Sequence, residues 1–139
     1  MSLRATRTKI VSEFHTYMSV QNPGLAIVGD NQPYPVTPND PWVHIAFVPS
    51  MRFRTNIGSL PKWRQLGILN VNVMVPEDTG SDDAWGYVDD AIDALKDKSY
   101  ELSGDAGRIS VFNTDVQPRG ILNGYWTVSV KTEFKKDSA

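Results

Sequence analysis

Gln65-Leu-Gly-Ile-Leu-Asn-Val-Asn-Val-Met-Val75 runs through Pro76-Glu-Asp-Thr-Gly80 into Ser81-Asp-Asp-Ala-Trp-Gly-Tyr-Val-Asp-Asp-Ala-Ile-Asp-Ala-Leu95, and the periodicity changes midway. In the first stretch Leu69, Val71, Val73 and Val75 recur every second residue, with Asn70 and Asn72 between them. That is the pattern of a strand with one covered face. Pro76 and Gly80 stop it, Ser81 reads as a helix cap, and Asp82 and Asp83 suit the positive end of a helix. In the second stretch Ala84, Trp85, Tyr87, Val88, Ala91, Ile92, Ala94 and Leu95 cover one half of a helical wheel. Asp82, Asp83, Asp89, Asp90, Asp93 and Asp97 occupy the other half. A one-faced strand feeding a one-faced helix points to an α+β fold, with helices laid on one side of a sheet.

Upstream, Met51-Arg-Phe-Arg-Thr-Asn-Ile57 also alternates. Met51, Phe53, Thr55 and Ile57 fall on one face, and Arg52, Arg54 and Asn56 on the other. Gly58-Ser-Leu-Pro-Lys62 reads as a turn that pairs this strand with the next as a hairpin. Before it, Trp42-Val-His-Ile-Ala-Phe-Val48 is a separate β-prone run bounded by Pro41 and Pro49. Residues 21–41 hold five of the nine prolines, so this stretch reads as an irregular loop or arm that docks on a neighbour. Only Leu25-Ala-Ile-Val28 is apolar enough for a strand there. Residues 4–20 place Ile10, Val11, Phe14, Tyr17 and Met18 on one helical face. Downstream, a Ser103–Gly107 loop leads to strands over Arg108–Val116 and Tyr125–Phe134. The expected architecture is a single mixed or antiparallel sheet with two helices on one face, over one domain spanning 1–139.

The chain has 139 residues and no cysteine, which excludes disulfides, thiolate metal sites and thiol nucleophiles. No apolar run reaches the length of a membrane helix, and the basic N-terminus lacks the apolar stretch of a signal peptide. The net charge of −2 conceals a division: residues 1–75 carry +4 and residues 76–139 carry −6. Arg52, Arg54, Lys62 and Arg64 lie in an acid-free stretch, whereas the aspartates concentrate in the second helix. These are two solvated faces of opposite sign, or patches that pair between copies; composition does not choose.

Catalytic patterns are missing. His15 and His44 have no ligand-like company, and Gly24-Leu-Ala-Ile-Val-Gly29 lacks the Lys and Ser/Thr of a phosphate loop. The aspartates read as a solvated helix face rather than as general acids or metal ligands. The expectation is a protein without enzymatic activity, cofactor or metal. Arg52-Phe-Arg54 and Lys62-Trp-Arg64 interleave cations with aromatics, as single-stranded nucleic-acid binders do, but a pI near 5.6 lacks their electrostatic footprint.

Five features, taken in order, resemble the phage tail terminator family, the minor tail protein U-like proteins of long non-contractile tails. Pro41-Trp-Val-His-Ile-Ala-Phe47 leads to Arg54-Thr-Asn-Ile-Gly58. Lys62-Trp-Arg-Gln-Leu-Gly67 closes a basic stretch on glycine, and Asn70-Val-Asn-Val-Met-Val-Pro76 with Gly80 precedes the acidic helix Asp83–Ile92. Gly124-Tyr-Trp-Thr-Val-Ser-Val130 ends the series, so the resemblance covers residues 41–134. It implies a virion protein, assembled in the host cytoplasm, that forms a hexameric ring. The ring caps the tail tube, ends its polymerisation and offers a surface to the head-completion or neck protein, with DNA only as cargo in the lumen. Arg52, Arg54, Lys62 and Arg64 would then lie at a subunit contact or face the lumen. The acidic helix face would be the complementary contact or the outer surface. A head–tail connector of the same general fold and a small single-stranded nucleic-acid-binding module are the alternatives.

Overall fold

The computed structural model describes residues 3–29, 40–77, 80–102 and 105–137. In chain order these form α1 (Leu3–Gln21), β1 (Ala26–Gly29), β2 (Trp42–Arg54), β3 (Trp63–Pro76), α2 (Asp82–Leu95), β4 (Ser99–Leu102), β5 (Asp105–Leu122) and β6 (Tyr125–Asp137). The strands make one six-stranded sheet in the order β1-β2-β3-β6-β5-β4. β1 runs parallel to β2 and every other pairing is antiparallel, so the sheet is mixed. It curls as a half-barrel with the two helices, completing the α+β fold read from the sequence.

The alternation in β3 builds the core as expected. Leu69, Val71, Val73 and Val75 are buried, and their ladder partners bring Val43, Ile45, Val128 and Val130 to the same face. Ile10, Phe14 and Met18 from α1, with Ala84, Val88, Ala91 and Leu95 from α2, close over them. Most of the apolar half of α2 is therefore turned inward. Trp85 is the exception: it stays 38% exposed at the rim, its ring edge-on to Trp126 at 5.8 Å between centroids.

Three expectations need correction. Trp42–Val48 and Met51–Ile57 are not two strands: β2 runs unbroken through Pro49 to Arg54. Pro49 is tolerated because the ladder is interrupted there by a bulge, with Pro49 opposite Gly67 and Arg52 opposite Gln65. The inserted residue reverses the alternation. Arg52 and Arg54 turn to the helix-bearing side, and Met51 is left 61% exposed on the opposite side instead of facing a covered surface.

Ser81 precedes α2 but makes no side-chain cap bond; its backbone is near-helical, so its hydroxyl is not aimed at the first free amides. The Ser103–Gly107 segment is largely part of a hairpin, because β4 was not foreseen and β5 starts at Asp105. Residues 103–104 lie outside the described residues, as do residues 30–39 of the proline-rich arm.

Candidate assembly surfaces

β2 and β3 extend beyond the part of the sheet covered by the helices and end in a loop over residues 55–62. The loop is held by its own polar groups. The Asn56 side chain donates Nδ2 to the Leu60 carbonyl at 2.9 Å and accepts the Lys62 amide at 2.8 Å. The Thr55 amide bonds the Lys62 carbonyl at 2.8 Å, and the Arg54 guanidinium donates to the Gly58 carbonyl. Held in this way, the tip nonetheless presents Ile57 fully exposed and Leu60 80% exposed. An ordered loop that leaves two aliphatic side chains in water is a feature of interaction surfaces.

The four predicted basic residues all belong to this hairpin, but they do not act alike. Arg52 is exposed and donates Nε to Gln65 Oε1 at 3.0 Å. With Arg54 and Trp63 it shares the helix-bearing face, since residues paired across a ladder point the same way. Lys62 lies in the tip with its side chain exposed. Arg64 points to the opposite face and grips Asp137 through two hydrogen bonds, of 2.6 and 3.1 Å. Its guanidinium hydrogen-bonds the carboxylate and holds Asp137 below the ordinary carboxyl range, and the same contact raises the Arg64 pKa. Arg64 is thus an internal clasp between β3 and β6, and the outward-facing charge comes from Arg52, Arg54 and Lys62. Phe53 sits on the far side of the strand from Arg52 and Arg54. The apparent cation–aromatic interleaving is therefore divided between two faces.

The six predicted aspartates divide similarly. Asp82, Asp83, Asp89 and Asp93 are exposed, and among the described residues none forms an ion pair. Asp90 accepts a hydrogen bond from Asn22 Nδ2 at 3.0 Å and ties α2 to the end of α1. Asp97 has φ 51° and turns the chain out of α2 toward β4. The end of α2 nearest Trp126 carries Asp82 and Asp83 one turn before Trp85. Beside it lies the β5–β6 turn, where Ile121 and Leu122 are 59% and 50% exposed and the Glu77 amide bonds the Gly124 carbonyl at 3.0 Å. Sequence reasoning missed Ile121 and Leu122 because their strand was expected to end at Val116.

A cleft of about 330 Å³ between α1 and β1 is lined by Arg7, Val11, Ser12, His15 and Ile27, among others. His15 is exposed and within 3.4 Å of the Ser19 hydroxyl, and His44 sits half-buried with its ring edge-on to Trp42. Among the described residues no three His, Cys, Asp or Glu side chains gather as a metal site, and no helix is long and apolar enough to cross a membrane. Lys136 is fully buried, its Nζ donating to the Asp137 carbonyl at 3.0 Å. The inward alternation of Val128, Val130 and Phe134, continued two residues, would have located it.

No protein-family model matches the chain, and no curated protein does. Solved structures do. One of them, known only by a serial designation, is 21% identical, covers 98% of this chain and 96% of its own, and superposes with a TM-score of 0.65. At that identity the likeness is one of fold.

Proposed function

We propose that this protein is a ring-forming structural subunit of a phage tail, a tail terminator that caps the tube and offers the attachment surface for the head or neck. The observation that carries the reading is the β2–β3 arm, which projects past the helices with a basic and apolar surface. At the other end of the same sheet lies an acidic surface, on α2. A subunit with unlike surfaces at its two ends is suited to repeated association with copies of itself. The resemblance over residues 41–134 supplies the particular setting: a hexamer in the virion with the tail tube on one side, a neck protein on the other and DNA passing through the lumen. No reaction and no cofactor enter this mechanism, which is geometric and electrostatic.

Native mass spectrometry with electron microscopy of the purified protein tests the proposal. A closed ring with a central opening is the expected result. A strict monomer that binds single-stranded DNA would overturn it in favour of a nucleic-acid module. In a phage lacking the protein, overlong tails are expected. Tailless heads would move the assignment to a head–tail connector.

A further inference from the structure

Most of the exposed large apolar side chains among the described residues collect at the two ends of the sheet. Met51, Ile57, Leu60 and Trp63 mark the arm end, and Trp85, Ile121 and Leu122 mark the other. The charges beside the arm tip are Arg52, Arg54 and Lys62, and those beside the opposite end are mainly Glu77, Asp82 and Asp83, where a nearby cation, Arg119, donates its Nε to the Ser129 hydroxyl at 3.3 Å. β3 spans 14 residues between them, on the order of 40 Å at a strand rise of ~3.3 Å per residue. One chain cannot bring its own two ends together.

We infer that the tip of the β2–β3 arm of one copy docks on the β5–β6 turn and the first turn of α2 of a second copy. Ile57 and Leu60 are set against Ile121 and Leu122, and Arg52, Arg54 and Lys62 against Asp82 and Asp83. The two surfaces match in both properties, apolar with apolar and cation with anion, which gives affinity and orientation together. The tip is held in shape by Asn56, so little ordering opposes its binding. The contact is heterologous, so every open assembly keeps one free arm and one free acidic end, and association continues until a ring closes. The inference rests on the self-assembling reading and specifies which surfaces meet. It also makes a distinction within the acidic helix: Asp89 and Asp93 lie about 10 Å or more further along α2 and stay outside the contact.

The test uses the full chain, native mass spectrometry and light scattering. The arm variant Arg54→Glu/Leu60→Asp and the end variant Asp82→Lys/Leu122→Asp are each expected to be monomeric, with unfolding transitions like the wild type. Ile57→Asp and Ile121→Asp serve as a second pair, should either double variant fold poorly. An equimolar mixture of the arm and end variants is expected to give heterodimers and nothing larger, because one intact arm and one intact end remain. Asp89→Lys/Asp93→Lys is expected to assemble as the wild type does. Wild-type rings that persist in both the arm and end variants would overturn this interface while leaving the ring reading intact. So would a mixture that stays monomeric, or loss of assembly in Asp89→Lys/Asp93→Lys. A monomeric wild type would remove both.

Discussion

Gly67 shows how closely single residues are constrained here. A β-carbon at this position would lie 2.4 Å from the Phe134 ring and 2.8 Å from the Val48 carbonyl oxygen, where Phe134 stacks on Phe47. Gly67→Ala should therefore destabilise by about 1–3 kcal/mol, as overpacking does, measurable by urea unfolding. Trp85→Ala should cost about 1–3 kcal/mol, less than a fully buried indole, because the ring is partly solvated and meets Trp126 in an edge-on contact. A loss above that range would mean that the indole is covered in solution. The Arg64–Asp137 clasp has a sign that can be checked. Asp137 has a lowered pKa when folded, so its contribution is present above the ordinary carboxyl pKa and is lost as pH falls through the folded value. Both side chains are more than a third exposed, which limits the pair to about 0–1 kcal/mol. The stability difference between wild type and Asp137→Asn should shrink in acid; a difference that grows would contradict the assignment.

At the scale of elements, α2 and the arm respond to different residues. The start of α2 gains from the negative charge of Asp82 and Asp83 in its first turn, while the Ser81 hydroxyl makes no bond to its free amides. Ser81→Ala should accordingly change stability by less than the ~0.5–2 kcal/mol usual for a cap, as thermal unfolding would report. The arm depends on Asn56. Asn56→Ala should leave global unfolding nearly unchanged and raise amide exchange across residues 55–62, because the tip contributes nothing to the core.

For the whole molecule, the proposed interface predicts an arm that is dispensable to folding and needed for association. Replacing residues 55–62 by Asn-Gly, a two-residue hairpin turn, should preserve the fold by circular dichroism and leave the protein monomeric. Where the complete chain assembles, added salt should weaken association, since the charges at both ends are solvent-exposed and screened. Salt-independent assembly would assign the contact to apolar packing alone.

Local periodicity carried most of the fold. Val71 and Val73 between asparagines, and Val88 and Ala91 opposite aspartates, can be buried in one way only, so strand, helix and core face followed from the sequence. The candidate surface was half legible. The charges of Arg52, Arg54, Lys62 and the α2 aspartates are properties of composition and could be read directly. Their direction could not, because it depends on the bulge beside Pro49, which shifts the ladder by one residue and so reverses which side chains face the helices. Likewise, nothing local in Arg64 or Asp90 announces Asp137 or Asn22, their partners 73 and 68 residues away. The sequence determined which segments bury a face and where charge of each sign is concentrated, because those depend on neighbours within a turn or two. Only the tertiary structure decided which charges are already paired, and that Arg52, Arg54 and Lys62 lie at the opposite end of a long sheet from Asp82 and Asp83, because strand register and the meeting of distant segments are settled between elements rather than within them.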